Sequence, residues 1–252
     1  MSNIYEALEQ AQQEKSFGDA LGRKFFPDVE RVRTIAPVSE KEVKPLQGTK
    51  SKEMAALSLV IDQKLPELSQ KTIMVMGSQQ GEGVSTVVCE MAKAAATRLG
   101  KRVLVLDAAT HNPIQHLLFK LKRPTVLNSR ENEYGMECWR SQSANLCVAS
   151  FPPSDYSSLS GDDSSSATLF KDLKQLFDLI IIDSSSEAIA PEQVSLARHV
   201  DGVLLVVEAE KTKWFKANKL IDALEGHGGT ILGVVFNKRR YHIPRAVYKW
   251  LL

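Results

Sequence analysis

One junction constrains this chain more than any other. The apolar run Thr72-Ile73-Met74-Val75-Met76 meets Gly77-Ser78-Gln79-Gln80-Gly81-Glu82-Gly83-Val84-Ser85-Thr86, and a helical pattern takes over near Thr86. Strand, glycine-rich turn and helix in that order make a loop whose backbone N–H groups and helix N-terminus converge on an anion. The working pattern of such a loop is G-x-x-x-x-G-K-[ST]. Gly83 and Ser85 satisfy it, Ser78 stands where the first glycine belongs, and Val84 stands where the lysine belongs. The frame of a nucleotide site is present without its main cation.

The rest of the chain fits around that junction. Apolar runs at 103–106, 179–182, 202–207 and 231–236 alternate with helical patterns at about 86–99, 168–176, 191–198 and 213–225. Such alternation implies a mostly parallel sheet covered by helices on both faces, an α/β fold of the P-loop NTPase type. Ligands of such sheets bind beyond the carboxyl ends of the strands. The glycine loop, Asp107, Asp183 and Asn237 all fall there. A helix is also expected over 51–65, with Met54, Leu57, Val60, Ile61 and Leu65 on one side. Leu117, Leu118, Phe119 and Leu121 mark a short helix, 124–140 reads as irregular, 146–149 as a short strand, and 151–167 as a Ser/Pro/Gly/Asp-rich loop.

Three parts follow. Residues 1–50 comprise an amphipathic helix over 1–15, with Ile4, Ala7, Leu8 and Ala11 on one side, and an irregular linker. Residues 51–237 form the α/β domain. Residues 238–252 are a basic, aromatic tail with Lys238, Arg239, Arg240, Arg245 and Lys249 and no acidic residue. A tail of this kind suits peripheral contact with a membrane, or equally a solvated helix end. No apolar run approaches the roughly 18 residues that span a bilayer. The start lacks the basic and apolar regions of a signal peptide. Cys89, Cys138 and Cys147 are odd in number and not in metal spacing. These features read as a cytoplasmic protein, with no nucleic-acid partner expected.

Several motifs together resemble the bacterial tyrosine kinase family, the CpsD/CapB-like autokinases of capsule and exopolysaccharide export, within the MinD/ParA-like P-loop group. Gly81-Glu82-Gly83-x-Ser85-Thr86 is similar to the family's P-G-E-G-K-S-T loop. Val103 to Pro113 resembles its second motif, and Asp178 to Asp183 resembles its Walker B strand. Ile4-Tyr5-Glu6-Ala7-Leu8, Gly233-Val234-Val235-Phe236-Asn237 and Arg240-Tyr241-His242-Ile243-Pro244 resemble the exopolysaccharide subgroup. The resemblance implies ATP or ADP on Gly81, Glu82, Gly83, Val84, Ser85 and Thr86, with Asn237 at the purine. It implies Mg²⁺ on Ser85, Asp107 and Asp183, the two aspartates also serving catalysis. It further implies docking on a membrane polysaccharide co-polymerase or export machinery at the inner face of the plasma membrane, and homo-oligomer formation. Tyr241 and Tyr248 are what remains of the C-terminal tyrosine cluster that such kinases phosphorylate.

The departures fall on the chemistry. Val84 replaces the loop lysine and Ala109 the second aspartate of D-x-D. Asp183-Ser184-Ser185-Ser186 replaces Asp-Thr-Pro-Pro, and Ala56 and Leu59 stand where E-x-x-R-x-x-R, here beginning at Glu53, has arginines. Losing a charge-assisted contact costs about one to two decades of affinity. Losing a preorganised donor to developing charge costs on the order of 100–1,000-fold in rate. Gln79 and Gln80 supply no cation, and Lys101, Lys120 and Lys122 have no special claim to the site; a lysine from a neighbouring chain stays open. Local readings stand beside these. Asp107 and Asp183 suit a relic site as well as a metal, Ser85 and Thr86 suit helix capping, and Trp139, Trp214 and Trp250 suit packing. A regulatory or scaffold member with weakened or lost kinase activity is the first reading. A working tyrosine autokinase is the second, and a MinD/ParA-like positioning ATPase the third.

Overall fold

The computed structural model describes residues 49–108, 115–119, 124–127, 136–140, 145–150, 163–184 and 191–238. The expected helix over 1–15, most of the linker, Ala109, Ser185 and Ser186, Trp250, and Tyr241 and Tyr248 of the tail lie outside the described residues.

The elements run in the order α1 (Thr49–Lys64), β1 (Lys71–Gly77), α2 (Val84–Arg98), β2 (Val103–Asp107), α3 (Gln115–Leu118), β3 (Pro124–Leu127), β4 (Met136–Arg140) and β5 (Leu146–Ser150). Then come α4 (Asp163–Leu176), β6 (Leu179–Ser184), α5 (Pro191–Ser195) with a 3-10 turn (Leu196–His199), β7 (Gly202–Glu208), α6 (Trp214–Gly226) and β8 (Ile231–Asn237). Eight strands form one sheet in the order β3-β4-β5-β2-β6-β1-β7-β8. Neighbours pair in parallel from β5 through β8, and β4 runs antiparallel to both β3 and β5.

Side-chain alternation explains the two layers of helix. Ile73, Val75, Val103, Val105, Ile181 and Val206 point to one face and pack with α1 and α2 through Met54, Leu57, Ile61, Val88 and Met91. Met74, Met76, Leu104, Leu106, Ile180 and Leu205 point to the other and pack with α4 and α6 through Leu169, Leu173, Leu220 and Leu224. A strand buried on both faces needs a continuous apolar run, as these four central strands have. The register then places the site. Asp107 pairs with Asp183, Asp183 with Val75, Gly77 with Val206, and Glu208 with Asn237. Every strand that carries an expected site residue therefore ends at one edge.

The structure corrects several boundaries. Residues 124–140, expected to be irregular, contribute strands β3 and β4, which with β5 form an antiparallel meander at one side of the sheet. Helix α4 starts at Asp163 rather than 168, the helix ahead of the 3-10 turn is shorter than expected, and α2 starts at Val84 rather than Thr86. Trp139 is half-buried against the core, whereas Trp214 is 56% exposed, so its expected packing role fails.

An ion-pair cluster ties α1 to the sheet. The Asp62 carboxylate accepts from Lys101 Nζ at 2.6 and 2.8 Å and lies 3.2 Å from the buried Lys71 Nζ. Burial pushes the Asp62 carboxyl up, but the hydrogen bonds and charges of Lys101 and Lys71 outweigh it and hold the group below its ordinary 3.8. A depressed carboxyl contributes stability that is complete above about pH 4 and is lost as pH falls through its native value. Asp62→Asn is expected to cost about 2 kcal/mol at neutral pH. Denaturant titrations of both proteins should show the gap closing below about pH 4.

Candidate functional site

The loop after β1 folds back on itself around one carboxylate. Glu82 is 1% exposed. It accepts the Ser78 N–H at 2.6 Å, the Ser78 hydroxyl at 2.9 Å and the Gln79 N–H at 3.1 Å, and the Thr212 hydroxyl also donates to it. This return needs Gly77, because a Cβ there would lie 2.7 Å from Glu82 Oε2 and 2.9 Å from Val84 Cγ2. The Glu82 side chain thus braces the loop from within. Only its backbone is left to face a ligand.

Val84 is the first residue of α2, and its side chain is 4% exposed within the apolar cluster on the α1–α2 face. Gly83 occupies the N-cap with φ 90° and no side-chain cap bond. The capping role open to Ser85 and Thr86 is therefore filled by Gly83. Ser85 is half-buried and Thr86 exposed in the first turn. Among the described residues, the N–H groups of Gly81, Glu82 and Gly83 donate to no acceptor.

At the neighbouring strand ends, Asp107 is 2% and Asp183 0% exposed. Gln115, also 0% exposed, joins them. Its N–H donates to Asp107 Oδ2 at 2.9 Å. Its side-chain amide donates to Asp183 Oδ2 at 2.5 Å and to the Ser85 carbonyl at 3.0 Å. Among the described residues, the buried Gln115 Oε1 atom meets no hydrogen-bond donor. Gln115 thus gathers the two carboxylates and the Ser85 carbonyl at one place. Mg²⁺ takes oxygen ligands from one or two carboxylates and completes its shell with water and phosphate. The donor set of Ser85, Asp107 and Asp183 fits that ion. Among the described residues no group of three His, Cys, Asp or Glu side chains forms a metal cage.

The opposite wall comes from β7 and β8. Asn237 is the last residue of β8, and its Nδ2 donates to the Glu82 carbonyl at 2.8 Å. Lys238 Nζ donates to the Gly81 carbonyl at 2.5 Å and lies 3.2 Å from Glu208 Oε2. Lys216 Nζ donates to Gln79 Oε1 at 3.0 Å. Two lysines, Lys238 and Lys216, thus reach a loop that has no lysine of its own. Lys101, by contrast, is committed to Asp62. The signal for Lys238 was its position next to Asn237; nothing local marked Lys216.

No family model matches the chain. It is 26% identical over 175 residues to tyrosine-protein kinase CpsD of Streptococcus agalactiae, covering 67% of this chain and 74% of that protein. It is 26% identical over 183 residues to tyrosine-protein kinase YwqD of Bacillus subtilis (68% and 73%). Against tyrosine-protein kinase CpsD of Streptococcus pneumoniae the figures are 27% over 220 residues (80% and 91%). Among solved structures, the chimerical protein CapA2B2 superposes with a TM-score of 0.63 at 22% identity, over 77% of this chain and 87% of that one. The septum site-determining protein MinD of Pyrococcus horikoshii, complexed with Mg-ADP, gives 0.53 at 18% identity, over 73% and 77%. The fold is that of the P-loop NTPases.

Gly83 is where the two walls touch. A Cβ there would lie 2.2 Å from Asn237 Nδ2, on a backbone at φ 90° that side chains rarely adopt. Gly83→Ala is expected to cost about 1–3 kcal/mol. In an Asn237→Ala background the steric share should vanish, giving a coupling of at least about 0.5 kcal/mol by denaturant unfolding. Additive costs would mean that the two residues do not meet.

Proposed function

We propose that this chain, whose curated homologues are bacterial tyrosine kinases, is a regulatory relative that holds a nucleotide but transfers its terminal phosphoryl group poorly or not at all. It would act in the synthesis and export of exopolysaccharide, docked on a membrane co-polymerase. The partner and pathway rest on the family resemblance of its first residues and of the stretch around β8. Among the described residues no helix is long and apolar enough to cross a membrane.

The observation that carries the reading is the burial of Val84. The position that begins α2 and would carry the loop's cation instead holds an aliphatic side chain sunk in the core. The means of binding an anion remain. The N–H groups of Gly81, Glu82 and Gly83 are available, the α2 N-terminus adds its partial positive charge, and Ser85, Asp107 and Asp183 would hold Mg²⁺. When bound, that ion would neutralise charge on the β- and γ-phosphates. Asn237 supports a purine at the outer end of the loop. What is missing is a donor fixed on the charge that grows in transfer, worth on the order of 100–1,000-fold in rate.

The test has two arms. Purified protein incubated with ATP and Mg²⁺ should show no phosphotyrosine at Tyr241, Tyr248 or Tyr5, while calorimetry detects ADP binding. Val84→Lys, whose stem can lie along the same apolar wall, should bind ADP about 10–100-fold more tightly. Labelling of the unmodified protein at kinase-like rates would overturn the reading in favour of an active autokinase.

A further inference from the structure

We propose that Lys238 is the working cation of this loop, supplied from the end of β8 in place of a lysine at position 84, and that Glu208 restrains it until a nucleotide polyphosphate arrives. The inference rests on the loop being a nucleotide site, as argued above, and adds the residue that makes binding possible there.

The first support is the backbone. Lys238 has φ 56°, in the left-handed region that a non-glycine residue seldom enters without a reason. The turn sends its side chain back across the glycine loop, where Nζ meets the Gly81 carbonyl. The preceding residue, Asn237, holds the next carbonyl along, that of Glu82. Two consecutive residues therefore grip two consecutive loop carbonyls.

The second support is what that grip does to the peptide units. In a trans peptide the C=O and N–H point in opposite directions. The Gly81 carbonyl shares its peptide with the Glu82 N–H, and the Glu82 carbonyl shares its peptide with the Gly83 N–H. Drawing both carbonyls outward to Asn237 and Lys238 turns both N–H groups the other way, away from β8. These are the N–H groups that lack an acceptor among the described residues. The grip holds the loop in a shape that receives an anion, and the Asn237 contact keeps that shape when Lys238 moves.

The third support is charge. The Lys238 side chain is 43% exposed and Glu208 15% exposed, with 3.2 Å between their charged atoms. Glu208 also pairs with Lys211 at 3.3 Å. The Gly81 carbonyl is a neutral acceptor for the ammonium, whereas a phosphate oxygen brings an opposite charge to the same bond. Lys238 thus gains by moving from Gly81 to a bound oxyanion, and Glu208 is the counter-charge it must leave. The predicted ligand is the phosphate chain of a nucleoside di- or triphosphate.

The experiment is calorimetric titration of ADP with Mg²⁺ into the full chain, Lys238→Met, Glu208→Gln and Val84→Lys, each checked for unchanged thermal unfolding. Lys238→Met keeps the aliphatic stem and loses the charge. It should weaken binding about 10–100-fold, with a shallower dependence on salt. Glu208→Gln should strengthen it several-fold. Opposite signs from two residues in one ion pair are not expected of a merely structural contact. If the full chain binds ADP and Lys238→Met binds equally well, this inference fails while the nucleotide reading stands. If none of the four proteins binds, including Val84→Lys, the nucleotide reading fails and takes the inference with it.

Discussion

A single amide holds the candidate site in shape. Asn237 Nδ2 donates to the Glu82 carbonyl across a sequence separation of 155 residues, and it can approach only because Gly83 has no side chain. This contact joins the loop after β1 to the end of β8, two strands away in the sheet. The Glu82 carboxylate works from the other side, gathering Ser78, Gln79 and Thr212 beneath the loop. A charged group this deeply buried is tolerable because its oxygens are engaged by donors. The loop is therefore held from inside by a carboxylate and from outside by Asn237 and Lys238, which leaves its remaining N–H groups facing a ligand.

The sheet explains why these pieces meet. Parallel neighbours fix Asp107 level with Asp183, and Asp183 level with Val75, so two carboxylates and the loop emerge from one edge. Gln115 then ties them together, donating to Asp107, to Asp183 and to the Ser85 carbonyl. Among the described residues its amide oxygen meets no donor, and an unmet buried acceptor costs about 1–3 kcal/mol.

Much of this was legible in the sequence, and the remainder fails for identifiable reasons. Central strands buried on both faces must be written as unbroken apolar runs, so β1, β2, β6 and β7 could be read directly. Strands β3 and β4 could not, because Pro124–Leu127 and Met136–Arg140 are short and lack the unbroken apolar run of the central strands. The helix start slipped by two residues because Gly83, with its left-handed backbone, serves as the cap that Ser85 or Thr86 seemed suited to provide. Glu82 looked like a ligand-facing residue of a nucleotide loop, whereas its side chain is engaged within the loop itself. Lys238 was visible only as part of a basic tail and as the neighbour of Asn237. Its claim on the loop is a tertiary contact, set by a backbone turn that spacing does not encode.

On the reading proposed above, the positions of Val84 and Lys238 would separate binding from catalysis. A cation at the start of α2 lies inside the loop's curve, where it can follow charge as it shifts between the β- and γ-phosphates. Lys238 approaches from outside, at the Gly81 carbonyl and beside Glu208. From there, on that reading, it would attract an anion that is already charged and would stabilise ground state and transition state to similar extents. Such uniform binding raises affinity without raising the rate of the chemical step. A loop that moved its charge from the inside to the outside would keep its nucleotide and lose its turnover, and that is the physical basis for a kinase relative that works by occupancy.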